Sequence, residues 1–130
     1  MISDEAPIGA ADREAILATA ADYIESWIDG DAQRMARCLH PQLAKRAVDP
    51  DPATGDWVVD EIGREAMVEA TAEGRGRRYE RPYEVRLLDA YGGIATVAVL
   101  SSPYMDYLHV ARFGDRWLIL NVLWQRRIGR

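Results

Sequence analysis

Asp106 is the side chain in this sequence that is best suited to proton chemistry. It stands in Tyr104–Phe113, a run otherwise rich in apolar and aromatic residues. Burial of a carboxyl group raises its pKa toward the range in which it can serve as a general base. A structural role is the alternative, in which Asp106 accepts hydrogen bonds from the backbone or from a helix-borne hydroxyl such as that of Tyr23.

His40 is the second candidate for chemistry. It precedes Pro41 at the end of a short predicted helix, where a capping or packing role is the alternative to catalysis. If Asp106 is a base, either His40 or Tyr104 is the expected hydrogen-bond donor. His109 lies three residues from Asp106 on the same strand, so the two side chains point to opposite faces and do not form a dyad. Two histidines and the single cysteine, Cys38, lack metal-ligand spacing, so no metal or cofactor is expected.

Aromatic and amide side chains could surround a ligand near these groups. Apolar walls with a few polar groups are typical of binding pockets, although aromatics at regular spacing also form plain core. The predicted ligand-binding residues are Tyr23, Trp27, Trp57, Tyr104 and Asn121. Arg75, Arg77, Arg78 and Arg81 are interpreted as a solvated basic loop.

Helices come first in the predicted order of elements. After a loose arm over residues 1–10, Asp12 is the expected N-cap of a helix that ends at Gly30, and Asp31 caps a second, shorter helix. Short strands follow at Leu43–Val48 and Trp57–Val59, and a third helix fits Arg64–Glu73.

Four strands complete the chain as a meander joined by turn residues. They are predicted at Tyr83–Asp89, Ile94–Ser101, Tyr104–Phe113 and Arg116–Arg127. Helices followed by an antiparallel meander indicate an α+β fold. At 130 residues the chain has the length of one domain, 1–130.

The last hairpin predicts two faces of the sheet. If Gly114-Asp115 is its turn, Tyr104, Asp106 and Asn121 share a pocket face, and an opposite face is apolar enough to meet a partner. A slip of one residue in register would exchange the two faces. The expected homodimer contact on the opposite face consists of Tyr107, His109, Leu120, Val122 and Trp124.

Composition excludes several classes of protein. The net charge of -5, from 16 Lys+Arg against 21 Asp+Glu, argues against a general nucleic-acid binder. No apolar run approaches the length of a membrane span. The first residues, Met1 to Ala11, include Asp4 and Glu5 and do not resemble a signal peptide, so a cytoplasmic location is expected.

Several segments resemble the nuclear transport factor 2-like superfamily, and most closely its lumazine-binding-like branch, beside polyketide-cyclase-like proteins. The resemblance covers about residues 12 to 126. The segments are Tyr23-Ile24-Glu25, Gly30-Asp31, Leu39-His40-Pro41, Asp106-Tyr107-Leu108-His109 and Gly114–Val122. It implies a cone-shaped fold, a pocket between helices and sheet, and dimers through the outer sheet face.

Three functions remain open at this point. The first is a dimer that binds a small apolar or aromatic molecule. The second is a cofactor-independent acid/base enzyme of the isomerase, dehydratase or cyclase type that uses Asp106. The third is a non-catalytic protein-interaction module, since one fold hosts many unrelated functions.

Overall fold

Two helices, a pair of strands, a third helix and a meander of four strands follow one another along the chain. The computed structural model describes residues 8–78 and 81–128. The helices are α1 (Ala10–Asp29), α2 (Ala32–Cys38) and α3 (Arg64–Ala72). The strands are β1 (Leu39–Pro50), β2 (Trp57–Ile62), β3 (Glu84–Tyr91), β4 (Ile94–Leu100), β5 (Tyr104–Phe113) and β6 (Arg116–Arg126). The predicted α+β class and the four-strand meander are confirmed; residues 1–7 of the predicted arm lie outside the described ranges.

Helix α1 begins earlier than its sequence suggests. Its N-cap is Gly9 rather than Asp12, which lies in the first turn. The Asp12 carboxylate instead accepts a hydrogen bond from the indole Nε1 of Trp117 at 3.0 Å and pairs with Arg112 at 3.3 Å. The Asp12 carboxylate therefore binds side chains of the sheet and does not cap the helix. The predicted left-handed cap at Gly30 is confirmed, with a φ of 72°.

The six strands form one sheet in the order β2-β1-β6-β5-β4-β3. Neighbours are antiparallel except β1 and β6, which run parallel. The first strand is longer than the predicted Leu43–Val48: it begins at Leu39 and ends at Pro50. The helices pack on one face of the sheet, where Ile16 and Ile24 of α1 join Val97, Leu108 and Ile119 in the core. No helix in the described ranges has both the length and the apolar character needed to cross a bilayer.

A bulge divides the last strand into two parts. Phe113 pairs with Arg116 as predicted, and Val110 pairs with Ile119, but His109 pairs with Asn121, so Leu120 is an extra residue in β6. A single extra residue exchanges the faces of every later side chain. Beyond Leu120 the predicted assignment of faces is therefore wrong.

Burial confirms this exchange of faces. Val122 is 2% exposed and belongs to the core, whereas its neighbour Leu123 is 54% exposed on the outer face. Asp106 and Leu108 on β5 lie on the inner face as predicted, at 4% and 0% exposure. The spacing argument therefore holds for β5 and for β6 only as far as Ile119.

Candidate functional site

A buried hydrogen bond links α1 to β5 on the inner face of the sheet. The Tyr23 hydroxyl donates to Asp106 Oδ2 at 2.9 Å, and both side chains are buried. Tyr23 lies on the stripe of α1 that faces the sheet, and Asp106 lies at an inner-face position of β5. The helix-borne partner considered for Asp106 from the sequence is thus the group that the carboxylate contacts.

Lys45 of β1 completes a chain of three polar groups. Its ammonium donates to the Tyr23 oxygen at 2.6 Å and lies 3.6 Å from the sulfur of Met67. Three aromatic rings surround the ammonium: the centroids of Tyr23, Trp27 and Trp124 lie at 5.1, 5.8 and 5.5 Å. Tyr23 therefore mediates between a cation and a carboxyl group, because it accepts from Lys45 and donates to Asp106.

Burial perturbs all three groups of this chain. Desolvation raises the pKa of Asp106, and the nearby Lys45 charge and the Tyr23 hydrogen bond oppose that rise. Desolvation also lowers the pKa of Lys45, an effect that Asp106 partly offsets. The pKa of Tyr23 lies well above its ordinary value because of burial and the Asp106 charge. Lys45 retains some accessible surface along the cavity although protein atoms enclose its ammonium, so its charge is only partly screened by water.

These three groups border a cavity of about 280 Å³ between the helices and the sheet. This volume is near the lower end of the range for small-molecule sites. Its lining includes aromatic, aliphatic and charged side chains from α1, α3 and four strands. The residues are Tyr23, Ile24, Trp27, Lys45, Asp60, Ile62, Met67, Ala70, Arg75, Arg78, Tyr104, Asp106 and Trp124.

The turn after α3 forms one wall of this cavity and packs closely on α1. A Cβ atom on Gly76 would lie 2.2 Å from the carbonyl oxygen of Trp27, so only glycine permits the contact. Arg77 Nε donates to the carbonyl oxygen of Asp29 at 3.2 Å. The basic loop predicted from the sequence is therefore docked on the helix, and Arg75 and Arg78 line the cavity.

Four of the residues predicted for the site meet at the cavity: Tyr23, Trp27, Tyr104 and Asp106. The rings of Tyr104 and Trp124 touch edge to face, with their centroids 5.1 Å apart. Trp124 was expected on the outer face; the bulge at Leu120 turns it inward. A role in binding or catalysis for these residues remains a prediction.

Three other predicted residues lie elsewhere. Trp57 begins the edge strand β2 and is 72% exposed, because its partner is Pro50 at the far end of the hairpin. Asn121 lies on the outer face, where its Nδ2 is 3.4 Å from Nδ1 of His109. The His40 ring stacks near Phe113, at 4.3 Å between centroids, and its Nδ1 accepts from the Gln42 N–H. None of the three lines the cavity.

The expected partner face needs the same correction. Tyr107 and His109 lie on the outer face, and Leu120 is the bulged residue. Val122 is in the core and cannot belong to an outer contact, whereas Trp124 lines the inner cavity and also borders the outer depression beside Leu123. Leu123 and Asn121 occupy the outer positions instead, opposite Tyr107 and His109.

Sequence reasoning missed Lys45, although a signal was present. Leu43, Lys45 and Ala47 are every second residue of β1 and therefore share one face of the strand. Leu43 and Ala47 are buried. A lysine between two inward-facing apolar residues on one strand face is typical of a cation that reaches a partner inside the fold. Among the described residues, no group of three or more His, Cys, Asp or Glu side chains could hold a metal ion.

Comparison with known proteins assigns the chain to a family. A family model described as "Putative lumazine-binding" matches residues 11–125. The chain belongs to this lumazine-binding-like family. The match spans both the helices and the whole sheet, and it confirms the branch of the superfamily that the sequence resembles. A search of curated proteins finds no match.

Solved structures share the fold of this lumazine-binding-like chain at low sequence identity. A nuclear transport factor 2-like protein of unknown function from Silicibacter pomeroyi is 16% identical; the match covers 92% of this chain and 100% of that one, with a TM-score of 0.70. A similar protein from Shewanella baltica is 12% identical over 93% and 98% of the two chains, with a TM-score of 0.70. A ketosteroid isomerase-like protein from Erwinia carotovora is 13% identical over 94% and 100%, with a TM-score of 0.66. These likenesses establish the cone-shaped nuclear transport factor 2-like fold.

Proposed function

We propose that this protein binds a small, flat aromatic molecule in the cavity between its helices and sheet, and that it does so as a homodimer. The observation that carries the proposal is the Lys45 ammonium, which is enclosed by three aromatic rings at the cavity wall. An ammonium has three N–H donors, and the described contacts use one on Tyr23 and direct another toward a weak sulfur acceptor.

The chemistry of the cavity defines the class of ligand. Trp27, Tyr104 and Trp124 offer aromatic surface against which a planar ring can stack. A carbonyl or anionic oxygen on that ring would accept the hydrogen bond that Lys45 still has available. Lumazine, which the family description names, is a flat bicyclic ring with two carbonyl groups and fits this class.

Quenching of tryptophan fluorescence tests the binding proposal. The probe is lumazine, added to the wild type and to Lys45→Met in a background where the exposed Trp57 is replaced by Phe. We expect saturable quenching in the wild type and a dissociation constant at least ~10 times larger in Lys45→Met, because one charged hydrogen bond is lost.

Arg13→Met is the matched control, since Arg13 is a cation exposed on α1 that does not line the cavity. It should bind lumazine as the wild type does. Absence of saturable quenching by lumazine and by a simple aromatic carboxylate such as 2-naphthoate would rule out the proposed class of ligand. Equal binding by wild type and Lys45→Met would remove Lys45 from the site.

Pairing through the outer sheet face has separate support. Tyr107 and Leu123 lie opposite each other on β5 and β6, at 44% and 54% exposure. Val48, Met105 and Ile128 extend this apolar surface around a shallow depression. Contiguous apolar surface of this kind is typical of interfaces between proteins.

An acid/base enzyme is the second candidate, and the state of Asp106 favours it. This carboxyl group is buried, hydrogen-bonded by Tyr23 and borders the cavity, and burial raises its pKa. A general base must titrate near the working pH. NMR titration of the Asp106 side-chain carbon tests this: a midpoint near neutral pH supports the enzyme, and a midpoint in the ordinary carboxyl range contradicts it.

A further inference from the structure

A second cavity, separate from the cone, is surrounded by three arginines. Arg37 comes from the end of α2, Arg64 from the start of α3 and Arg116 from the start of β6. The cleft has a volume of about 250 Å³. Its other lining residues are mostly apolar: Ala36, Leu39, Pro41 and Leu118. We refer to these seven residues as the arginine cleft.

The three guanidinium groups have no carboxylate partner in the described part of the chain. No Asp or Glu oxygen of the described residues lies within 4.0 Å of their nitrogens, whereas Arg34, Arg46 and Arg112 each form such a pair. In a protein with a net charge of -5, a cleft with three arginines and no acid is a local reversal of charge. It would concentrate anions from solution.

Two of these side chains are held in place by backbone carbonyl groups. Arg64 Nη2 donates to the oxygen of Ala36 at 2.9 Å, and Arg116 Nη2 donates to the oxygen of Arg37 at 2.8 Å. These bonds provide donors for two carbonyl groups at the C-terminal end of α2, which the helix itself leaves without partners. Capping of α2 therefore explains one N–H of each of the two arginines. They also hold both guanidinium groups at the cleft, and the other donors of these groups form no hydrogen bond among the described contacts.

One of the remaining donors is buried. Arg64 Nε has no hydrogen-bond acceptor and no contact with solvent in the described structure. Leaving a buried donor of a charged group without an acceptor is costly, and such groups in folded proteins call for a partner. Capping of α2 provides no acceptor for this N–H, and it does not involve the side chain of Arg37. An oxygen ligand in the cleft would pair with Arg37, and a rotation of the Arg64 side chain would bring this N–H to the same ligand.

We infer that the arginine cleft binds an oxyanion carried by a small apolar group. Guanidinium groups present paired N–H donors that match phosphate and carboxylate oxygens. Leu39, Pro41 and Leu118 provide apolar surface for the remainder of the molecule.

NMR of the arginine Nε–H groups tests this inference at the site itself. The probes are inorganic phosphate, phenyl phosphate and benzoate, each titrated into ¹⁵N-labelled wild-type protein. Because Arg64 Nε–H is buried, its signal should be protected from exchange and should shift saturably with phenyl phosphate. The indole N–H signals of Trp27 and Trp124, which report on the cone cavity, should remain in place.

Arg37→Gln is the main variant, because no hydrogen bond or ion pair of its side chain is seen among the described contacts and folding should be unaffected. We expect it to weaken phenyl phosphate binding at least ~10-fold, the loss typical of one charge-assisted hydrogen bond. Arg13→Gln makes the same change of charge on an exposed position of α1 and should bind as the wild type does. Arg116→Gln should repeat the loss.

The three probes separate the possible ligands. Phenyl phosphate binding more tightly than benzoate assigns the cleft to phosphate esters, and the reverse order assigns it to carboxylates. Inorganic phosphate binding as tightly as phenyl phosphate overturns the role of the apolar wall. No saturable shift of the Arg64 signal with any probe, or equal weakening by Arg13→Gln, overturns the inference as a whole. Failure here leaves the lumazine experiment unaffected, because that experiment reports on Lys45.

Discussion

The inner and outer faces of strands β5 and β6 carry similar kinds of residue in different surroundings. On the inner face, Tyr104, Asp106 and Trp124 border the cavity, and the carboxyl group of Asp106 accepts a hydrogen bond from Tyr23. On the outer face, Tyr107 and Leu123 are about half exposed. Both faces combine aromatic with polar groups, so composition alone does not distinguish a pocket from a contact surface.

The two faces differ in what their polar groups can bind: protein groups on the inner face, and water as well on the outer face. The inner Asp106 depends on Tyr23 and Lys45 because water is excluded from it. On the outer face, Nδ2 of Asn121 lies 3.4 Å from Nδ1 of His109. Water can replace either partner at these positions. The same substitution should therefore cost much more on the inner face than on the outer face.

The adjacent residues Val122 and Leu123 provide the largest test of this comparison. Val122→Lys places a charge in the core and should destabilise the fold by about 4 kcal/mol or more, which leaves little folded protein. Leu123→Lys should remain folded and lower the fraction of dimer, because the new charge enters the proposed contact. Circular dichroism and sedimentation velocity measure the two effects.

Leu88→Lys is the control for assembly. Leu88 is exposed on the edge strand β3, so this variant should sediment as the wild type does. A folded Val122→Lys beside an unfolded Leu123→Lys would show that the faces beyond Leu120 are assigned in reverse. A wild type that is monomeric at micromolar concentration would contradict the proposed dimer.

The pair Asp106 and Tyr107 gives the next largest difference. Asp106→Ala leaves the Tyr23 hydroxyl without an acceptor and Lys45 without a nearby negative charge, and should cost about 2–4 kcal/mol. Tyr107→Ala should cost at most about 1 kcal/mol, since the residue is partly exposed. Urea unfolding in a Leu123→Lys background, where both proteins are expected to be monomers, compares them directly. Equal losses would contradict the distinction between the faces.

The smallest effect is a dependence of stability on pH. In the unfolded chain Asp106 titrates near 3.8, and burial raises its pKa in the folded protein. Between these two values the folded state holds a proton that the unfolded state has released, so the free energy of unfolding falls as pH rises through that window. Above the folded-state pKa this contribution is constant.

Asp106→Asn tests this dependence. The amide keeps an acceptor for the Tyr23 hydroxyl but does not titrate, so the fall that belongs to Asp106 should be absent. Urea unfolding of both proteins at several pH values from about 3 to about 8 gives the difference between their slopes. Parallel slopes would mean that the pKa of Asp106 is the same in the folded and unfolded states.

Local patterns in the sequence predict most of this fold. The turn at Gly114-Asp115, the cap at Gly30 and the inner position of Asp106 follow from turn chemistry and period-two alternation. The parallel pairing of β1 with β6 could not be predicted in this way, because it joins residues 77 to 80 positions apart in the chain. Lys45 reaches the site through that pairing.

The candidate site could be predicted only in part. Tyr23, Trp27, Tyr104 and Asp106 were found because each lies on an element whose periodicity was clear. Asn121 and Trp124 were assigned to the wrong faces because nothing in Leu118–Leu123 marks Leu120 as the bulged residue. Every residue there is a good strand former except Asn121, so alternation has no local interruption to indicate the extra position.

The contact between Gly76 and Trp27 also fixes the position of one wall of the cavity. A backbone atom of the turn lies directly against the backbone of α1, with no side chain between them. The position of this wall is therefore set by two main chains, and substitution of the lining side chains would leave it unchanged. A change in the length of the turn between Gly74 and Arg78 would move the wall and alter the volume of the cavity.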